Sequence, residues 1–332
     1  MSTIKILPEI LSNQIAAGEV VERPVSIVKE LVENSIDAKA STISIEIENG
    51  GKDLIRVSDD GLGMSRDDAL LAIERYATSK IYTKEDLFSI STMGFRGEAL
   101  PSIASVSRFS LVTRREHDNT ATRLEMAGGK LVDVSDTGAP AGTMIEIRKL
   151  FYNTPARKKF LKADNTESGH IKDAVLGLSL GHGTIGFRLM VNQKLQHHFS
   201  LSDDLFQRAV RIFGRSSAGH LYPVDAAMGD VRVHGYGANP SLTRGNSSKL
   251  FFYVNRRLIY DRGLVAAVFK GYRGRIMKGR FPVGVYFIDL PFDQVDVNVH
   301  PSKKQVKFFN QPLVYQLVAG AVSDSLSQAQ QD

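Results

Sequence analysis

The sequence predicts an α+β fold, a mixed β-sheet with helices on one face, followed by a second and smaller α/β domain. Three patterns carry the prediction. Apolar residues at positions 27, 28, 31, 32 and 36 recur at helical spacing. Directly downstream Ile43, Ile45 and Ile47 alternate, Asn49-Gly50-Gly51 turns the chain, and residues 54–57 resume the alternation, which makes a hairpin. A polar stretch at 200–204 then precedes a fresh helical pattern at 205–213. The 332 residues are about twice the common domain length, so two cores are expected. The division falls at 1–203 and 204–325, with the Gln- and Ser-rich residues 326–332 read as the start of a linker.

In chain order, Pro24 suits the first turn of the first helix, where no N–H is needed. The hairpin supplies two adjacent antiparallel strands. Further strands are expected at 109–113, 143–148 and 185–191, with a helix at 166–180. In the second half, helices at 205–213 and 264–270 combine with strands at 231–236, 249–254, 283–290 and 305–309. No repeat at solenoid spacing interrupts this order.

Hydrophobic residues at 42% and charged residues at 23% describe a globular chain. Cysteine is absent, which excludes disulfides, thiolate metal sites and a catalytic thiol, and suits a reducing cytosol. The first eleven residues lack the apolar core of a signal peptide, and no apolar run reaches membrane-spanning length. The net charge of +6 permits a nucleic-acid partner without requiring one.

On a helical wheel Glu30 and Asn34 stand about 40° apart, with Asp37 about 20° to the other side of Glu30. Two carboxylates and an amide therefore share a stripe opposite the apolar face. Alone, such a stripe is also the ordinary wet face of a surface helix. Asp59-Asp60-Gly61-Leu62-Gly63 follows the second hairpin strand. A carboxylate at a strand end can accept from a purine amino group, and glycines let a flat ring approach the backbone, although Asp-Gly pairs also mark plain turns. Gly94-Phe95-Arg96-Gly97-Glu98-Ala99-Leu100 is a glycine-bracketed loop entering a helix, with Pro101 in its first turn. Free N–H groups at such a start bind phosphate, Arg96 adds charge, and Thr78, Ser79 and Lys80 offer hydroxyls and an ammonium. A surface loop is the plain alternative. No G-x-x-x-x-G-K-[ST] occurs, so a triphosphate here requires a fold other than a Walker loop.

Taken together, residues 30–38, Asp59-x-Gly61-x-Gly63, residues 94–100 and Gly142-Thr143 resemble, in order and spacing, the four motifs of the ATPase family of gyrase, the ninety-kilodalton chaperone, histidine kinases and MutL. More narrowly, residues 13–24, Ala77-Thr78-Ser79-Lys80, Phe151-Tyr152-Asn153-Thr154-Pro155-Ala156-Arg157 and Asp296-Val297-Asn298-Val299-His300-Pro301 look like the MutL family of DNA mismatch-repair proteins. The resemblance covers nearly the whole chain. It implies a Bergerat-type ATP-binding fold, then a domain resembling ribosomal protein S5 domain 2, with ATP and Mg²⁺ as cofactors. Glu30 would be the general base for the attacking water and Asn34 the Mg²⁺ ligand, with Asp37 in the same ATP site. Asp59 would read the adenine amino group beside Gly61 and Gly63, with Thr143 nearby. Gly94, Phe95, Arg96, Gly97, Glu98, Ala99 and Leu100 would form a lid, assisted by Thr78, Ser79 and Lys80, and Lys303 would bring a cation to the γ-phosphate. Two positions depart from the family: Tyr76 where histidine is frequent, and Asp60 where asparagine is common. Lid packing and local charge are therefore open.

Between residues 256 and 280 eight Lys or Arg face one acid, Asp261. Arg256, Arg257, Arg262, Arg273, Arg275, Lys278 and Arg280 are the expected DNA contacts, with Tyr260, Gly271, Tyr272 and Gly274 interleaved. That composition suits tracking a phosphate backbone without reading bases, and a solvated basic face carries the same charges. The resemblance further implies a homodimer formed on ATP binding through residues 14–22, slow hydrolysis that resets it, and relay of mismatch recognition from the protein MutS to a downstream nuclease and helicase. It places the chain in a bacterial cytoplasm, associated with the nucleoid during repair. The ATPase half of a type II topoisomerase shares the four general motifs but not the narrower stretches. A DNA-binding scaffold with a silent pocket would show no hydrolysis. An endonuclease site, if the full protein has one, would lie in a further C-terminal domain.

Overall fold

The computed structural model describes residues 21–75, 77, 97–296 and 306–328. The chain divides into two compact units, Met1–Val175 with Thr184–Leu201, and Leu176–Gly183 with Ser202–Asp332. In the first, α1 (Pro24–Asp37) leads to β1 (Thr42–Glu48), β2 (Leu54–Asp59), α2 (Arg66–Ala72), α3 (Ala99–Ser105), β3 (Arg108–Arg114), β4 (Ala121–Ala127), β5 (Lys130–Thr137), β6 (Gly142–Arg148) and α4 (Pro155–Phe160). There follow α5 (Asp164–Gly181), whose last residues cluster with the second unit, β7 (Gly186–Val191) and β8 (Lys194–Phe199). The eight strands form one mixed sheet in the order β5-β4-β3-β6-β2-β1-β7-β8, with β1 and β7 parallel.

Alternation explains why this sheet has one apolar face. Ile43, Ile45 and Ile47 are fully buried and stand opposite Asp59, Val57 and Ile55 of β2. Across β6 the row continues as Thr143, Ile145 and Ile147. The buried face of α1, with Ile27, Val28, Leu31 and Val32, packs on β1 and β2. Each such side chain contributes roughly 1.5–3 kcal/mol by leaving water. Residues of opposite parity carry a charge ladder, in which Arg56 donates to Glu46 (2.6 Å) and Glu146 (2.8 Å) and Arg148 pairs with Glu146. A one-sided α+β sandwich results.

The second unit contains α6 (Leu205–Phe213), β9 (Leu221–Met228), β10 (Val231–Ala238), β11 (Thr243–Arg244), β12 (Leu250–Val254), β13 (Arg257–Ile259), α7 (Arg262–Gly271), β14 (Phe281–Pro282), β15 (Gly284–Asp289), β16 (Val295–Asp296), β17 (Lys307–Phe308) and α8 (Gln311–Gln328). Its main sheet runs β13-β12-β15-β10-β9, and its core joins Val233, Phe252, Val254 and Ile288 to Leu264, Val268, Leu317 and Val322 of α7 and α8. The polar stretch before α6 is a capping box: the Asp204 carboxylate accepts from the Gln207 N–H (2.7 Å), and the Gln207 side chain accepts from the Asp204 N–H (3.1 Å).

One expectation is corrected here. Residues 326–328, assigned to a linker, are the last turn of α8: Leu326 is 4% exposed in the core, and the Ser325 hydroxyl donates to the Pro223 carbonyl at 2.7 Å. Residues 329–332 lie outside the described residues. The strand expected at 305–309 is the two-residue β17, with residue 305 outside the described residues. No helix among the described residues is long and apolar enough to cross a membrane.

Candidate functional site

The site is built around Asp59, the last residue of β2. Its place in the register puts it on the α1 side of the sheet, level with Ile43 and Thr143. Burial pushes its carboxyl above the usual range. Three donors oppose that rise: the Ser35 hydroxyl (2.7 Å, to Oδ2), the Gly61 N–H (3.0 Å, to Oδ1) and the Thr143 N–H (3.3 Å, to Oδ1), while neighbouring Asp60 adds to it. Next to Asp59 the Thr143 and Thr113 hydroxyls lie 3.0 Å apart, and Thr113 Oγ1 accepts from the Met64 N–H at 2.9 Å. A row of polar groups thus crosses β2, β6 and β3 at one edge of an otherwise apolar face.

Two glycines close this corner. Gly63 has φ +64° and Gly142 φ +118°, and a Cβ on either would sit 2.0 Å from a carbonyl, that of Arg114 or of Asp59. Neither position admits a side chain, and the neighbour that excludes one is the chain's own backbone. Asp60 accepts instead from the Ser41 and Thr42 N–H groups (2.8 Å each) and from the Ser41 hydroxyl. Burial pushes its pKa up, but these donors outweigh burial and hold it below the usual carboxylate value. Asp60 thus latches the start of β1 to the end of β2.

Glu30, Asn34 and Asp37 are half-buried on α1. Ser35 is 3% exposed on the buried side, whereas Ile36, read as part of the apolar face, is only half-buried. Glu30 stands about 7.5 Å of helix rise from Ser35, so the two ends of an extended ligand can meet one helix. Sequence reasoning passed over Ser35. Its signal is a hydroxyl one turn beyond Leu31 within the apolar stripe, since a buried hydroxyl must find a partner. Among the described residues no cluster of three or more His, Cys, Asp or Glu is placed to hold a metal. Mg²⁺ in a phosphate site keeps waters and phosphate oxygens as most of its shell, so one protein oxygen, the half-buried Asn34 amide, fits it.

Gly97 and Glu98 precede α3, which begins at Ala99 and Leu100 and holds Pro101 in its first turn. Tyr76, Thr78, Ser79, Lys80, Gly94, Phe95, Arg96 and Lys303 lie outside the described residues, as do residues 14–20.

In the second unit, Arg256 sits at the tip of a two-residue turn between β12 and β13, where Asn255 and Arg256 have φ +47° and +67°. Arg256, Arg262, Arg273, Arg275, Lys278 and Arg280 are exposed and Arg257 is half-buried. Arg280 donates to Thr243 through two contacts of 3.1 Å. Tyr272 does not belong to this surface. It is 1% exposed and its hydroxyl donates to the Ala238 carbonyl, so only Tyr260, half exposed, offers a ring to a ligand.

Known proteins agree with both halves. Residues 22–135 match the family of histidine kinase-, DNA gyrase B- and HSP90-like ATPases, and residues 209–327 match the C-terminal domain family of DNA mismatch repair proteins. The DNA mismatch repair protein MutL of Geobacter sulfurreducens is 49% identical over 97% of this chain and 53% of its own length. The chain belongs to the MutL family of DNA mismatch-repair proteins. MutL of Syntrophotalea carbinolica is also 49% identical, over 98% of this chain and 52% of its own. The chain therefore spans about half the length of the curated MutL relatives it matches. A crystal structure of the N-terminal domain of a DNA repair protein superposes with TM-score 0.82 at 25% identity, covering 96% of this chain and 98% of that one. The Aquifex aeolicus MutL ATPase domain complexed with ADP matches at TM-score 0.63 and 26% identity, over 90% and 98%.

Proposed function

We propose that this MutL-family chain binds Mg-ATP and hydrolyses it slowly, and that the nucleotide sets its association state during DNA mismatch repair. The observation that carries the reading is the half-buried Asp59 carboxylate, hydrogen-bonded through Ser35 to the helix that bears Glu30 and Asn34. That the Aquifex aeolicus domain was solved with ADP supports it. Asp59 accepts from the adenine amino group, beside Gly61, Gly63 and Thr143. The Asn34 amide oxygen would hold Mg²⁺ with Asp37 nearby, and the ion would supply positive charge to the phosphates. Glu30 takes a proton from the water attacking the γ-phosphorus, the bond to the bridging oxygen breaks, and inorganic phosphate leaves. Residues 94–100, with Thr78, Ser79 and Lys80, cover the triphosphate, and Lys303 supplies a cation to the γ-phosphate.

Residues 1–203 act as the ATPase domain and 204–325 as an S5 domain 2-like transducer. ATP closes a homodimer through residues 14–22, and hydrolysis opens it. Arg256, Arg257, Arg262, Arg273, Arg275, Lys278 and Arg280 hold DNA by its backbone. In the longer protein this switch relays recognition from MutS to a nuclease and a helicase. The test is ATP turnover by the parent and Glu30→Ala, read beside ATP-dependent dimerisation. Turnover is expected to vanish in the variant while dimers persist, and parental turnover in Glu30→Ala overturns the assignment of the base.

A further inference from the structure

We infer that Ser35 is a positioning residue that fixes the Asp59 carboxylate in one orientation and leaves it a single open acceptor position, so that the pocket selects a base presenting an N–H donor. This rests on the reading of Asp59 as the adenine contact. The two carboxylate oxygens offer about four acceptor positions. Gly61 and Thr143 N–H groups occupy two on Oδ1, and the Ser35 hydroxyl occupies one on Oδ2. Among the described residues, one position on Oδ2 is left.

All three donors come from different elements. Ser35 rides on α1, Gly61 follows β2, and Thr143 stands in β6. The backbone donors are fixed by the strand pairing and the turn, so Ser35 is the only side chain of the three and the only one that substitution can remove. Its own setting is rigid: it is buried, and its hydroxyl also lies 3.1 Å from the Leu31 carbonyl of the preceding turn. The same hydrogen bond favours the ionised carboxylate, opposing burial and the adjoining negative charge of Asp60, which favour the protonated form. Ionised, Asp59 can only accept. A base with an exocyclic amino group at that point binds, and one with a carbonyl oxygen meets two acceptors face to face.

Equilibrium binding of ATP and of GTP, each with Mg²⁺, is measured across pH for the parent, Ser35→Ala and Ser35→Thr. Removing a hydrogen bond to a charged group is expected to weaken ATP binding by about tenfold or more. Ser35→Ala should also narrow the ATP-to-GTP preference and move the acid-side loss of ATP binding to higher pH, because the unassisted carboxyl protonates sooner. Ser35→Thr, which keeps the hydroxyl, should restore all three. If Ser35→Ala does not fold, Ser35→Cys keeps the volume with a weaker donor, and intermediate values are expected. Parental preference and pH profile in the donor-deficient variant overturn the role of Ser35. A parent that binds neither nucleotide overturns the adenine reading itself, and this inference with it.

Discussion

Asp59 shows what a single residue costs the fold for the sake of its chemistry. Its carboxyl is held above the usual range by burial, so the folded state binds its proton more tightly than the unfolded chain does. Stability from this group is complete at low pH and is lost as pH rises through the carboxylate range. Asp59→Asn removes this half-buried charge. The Asn amide oxygen can still accept from Gly61 and Thr143, and the Ser35 hydroxyl can turn to the Leu31 carbonyl. The variant is therefore expected to melt above the parent at neutral pH, with the gap closing below pH about 3, and to lose ATP affinity by at least about a hundredfold. Calorimetric melting with and without ATP reads both effects, and a variant that melts lower at pH 7 contradicts the cause given for the shift. Asp59 was legible as a carboxylate at a strand end, whereas the roles read for Glu30 and Asn34 rest on the order and spacing of the motifs. Ser35 was passed over, because a serine inside an apolar helix stripe signals only that its hydroxyl needs a partner, and the strand end that accepts from it is distant in sequence.

Elements were legible where burial writes a period into the chain. The hairpin of β1 and β2, with isoleucines at alternate positions, and the helix at 205–213 follow from periodicity, caps and turns, and the helix expected at 166–180 runs from 164 to 181. Edge strands were not expected, since they have little to bury: β5 is exposed or half-exposed throughout, and β8 buries only Phe199. The end of α8 misled for the opposite reason. Its Ser and Gln residues look like linker composition, yet Ser325 and Leu326 are buried in the second unit. Leu326→Ala is accordingly expected to lower the unfolding free energy by about 2–4 kcal/mol in urea denaturation. A loss well under about 1 kcal/mol would return this segment to the linker.

At the scale of the whole molecule, the order of motifs said more than any one of them. Each of the Glu30 stripe, the Asp-Gly turn and the glycine loop has an ordinary structural explanation, and their order and spacing pointed to the family before any coordinates. The basic stretch was legible as charge but not as shape: Tyr272 belongs to the core, and Arg280 already serves Thr243. Arg275→Glu, at an exposed position, should weaken DNA binding and reduce the slope of log affinity against log salt by about one phosphate contact or more. An unchanged slope would leave the stretch a solvated face. The central claim is that one helix joins base recognition to hydrolysis, and ATP turnover by the parent and by Glu30→Ala, at matched and saturating nucleotide, addresses it most directly. The expected result is slow turnover in the parent and none above background in the variant, with ATP still bound. Equal turnover in both would contradict it.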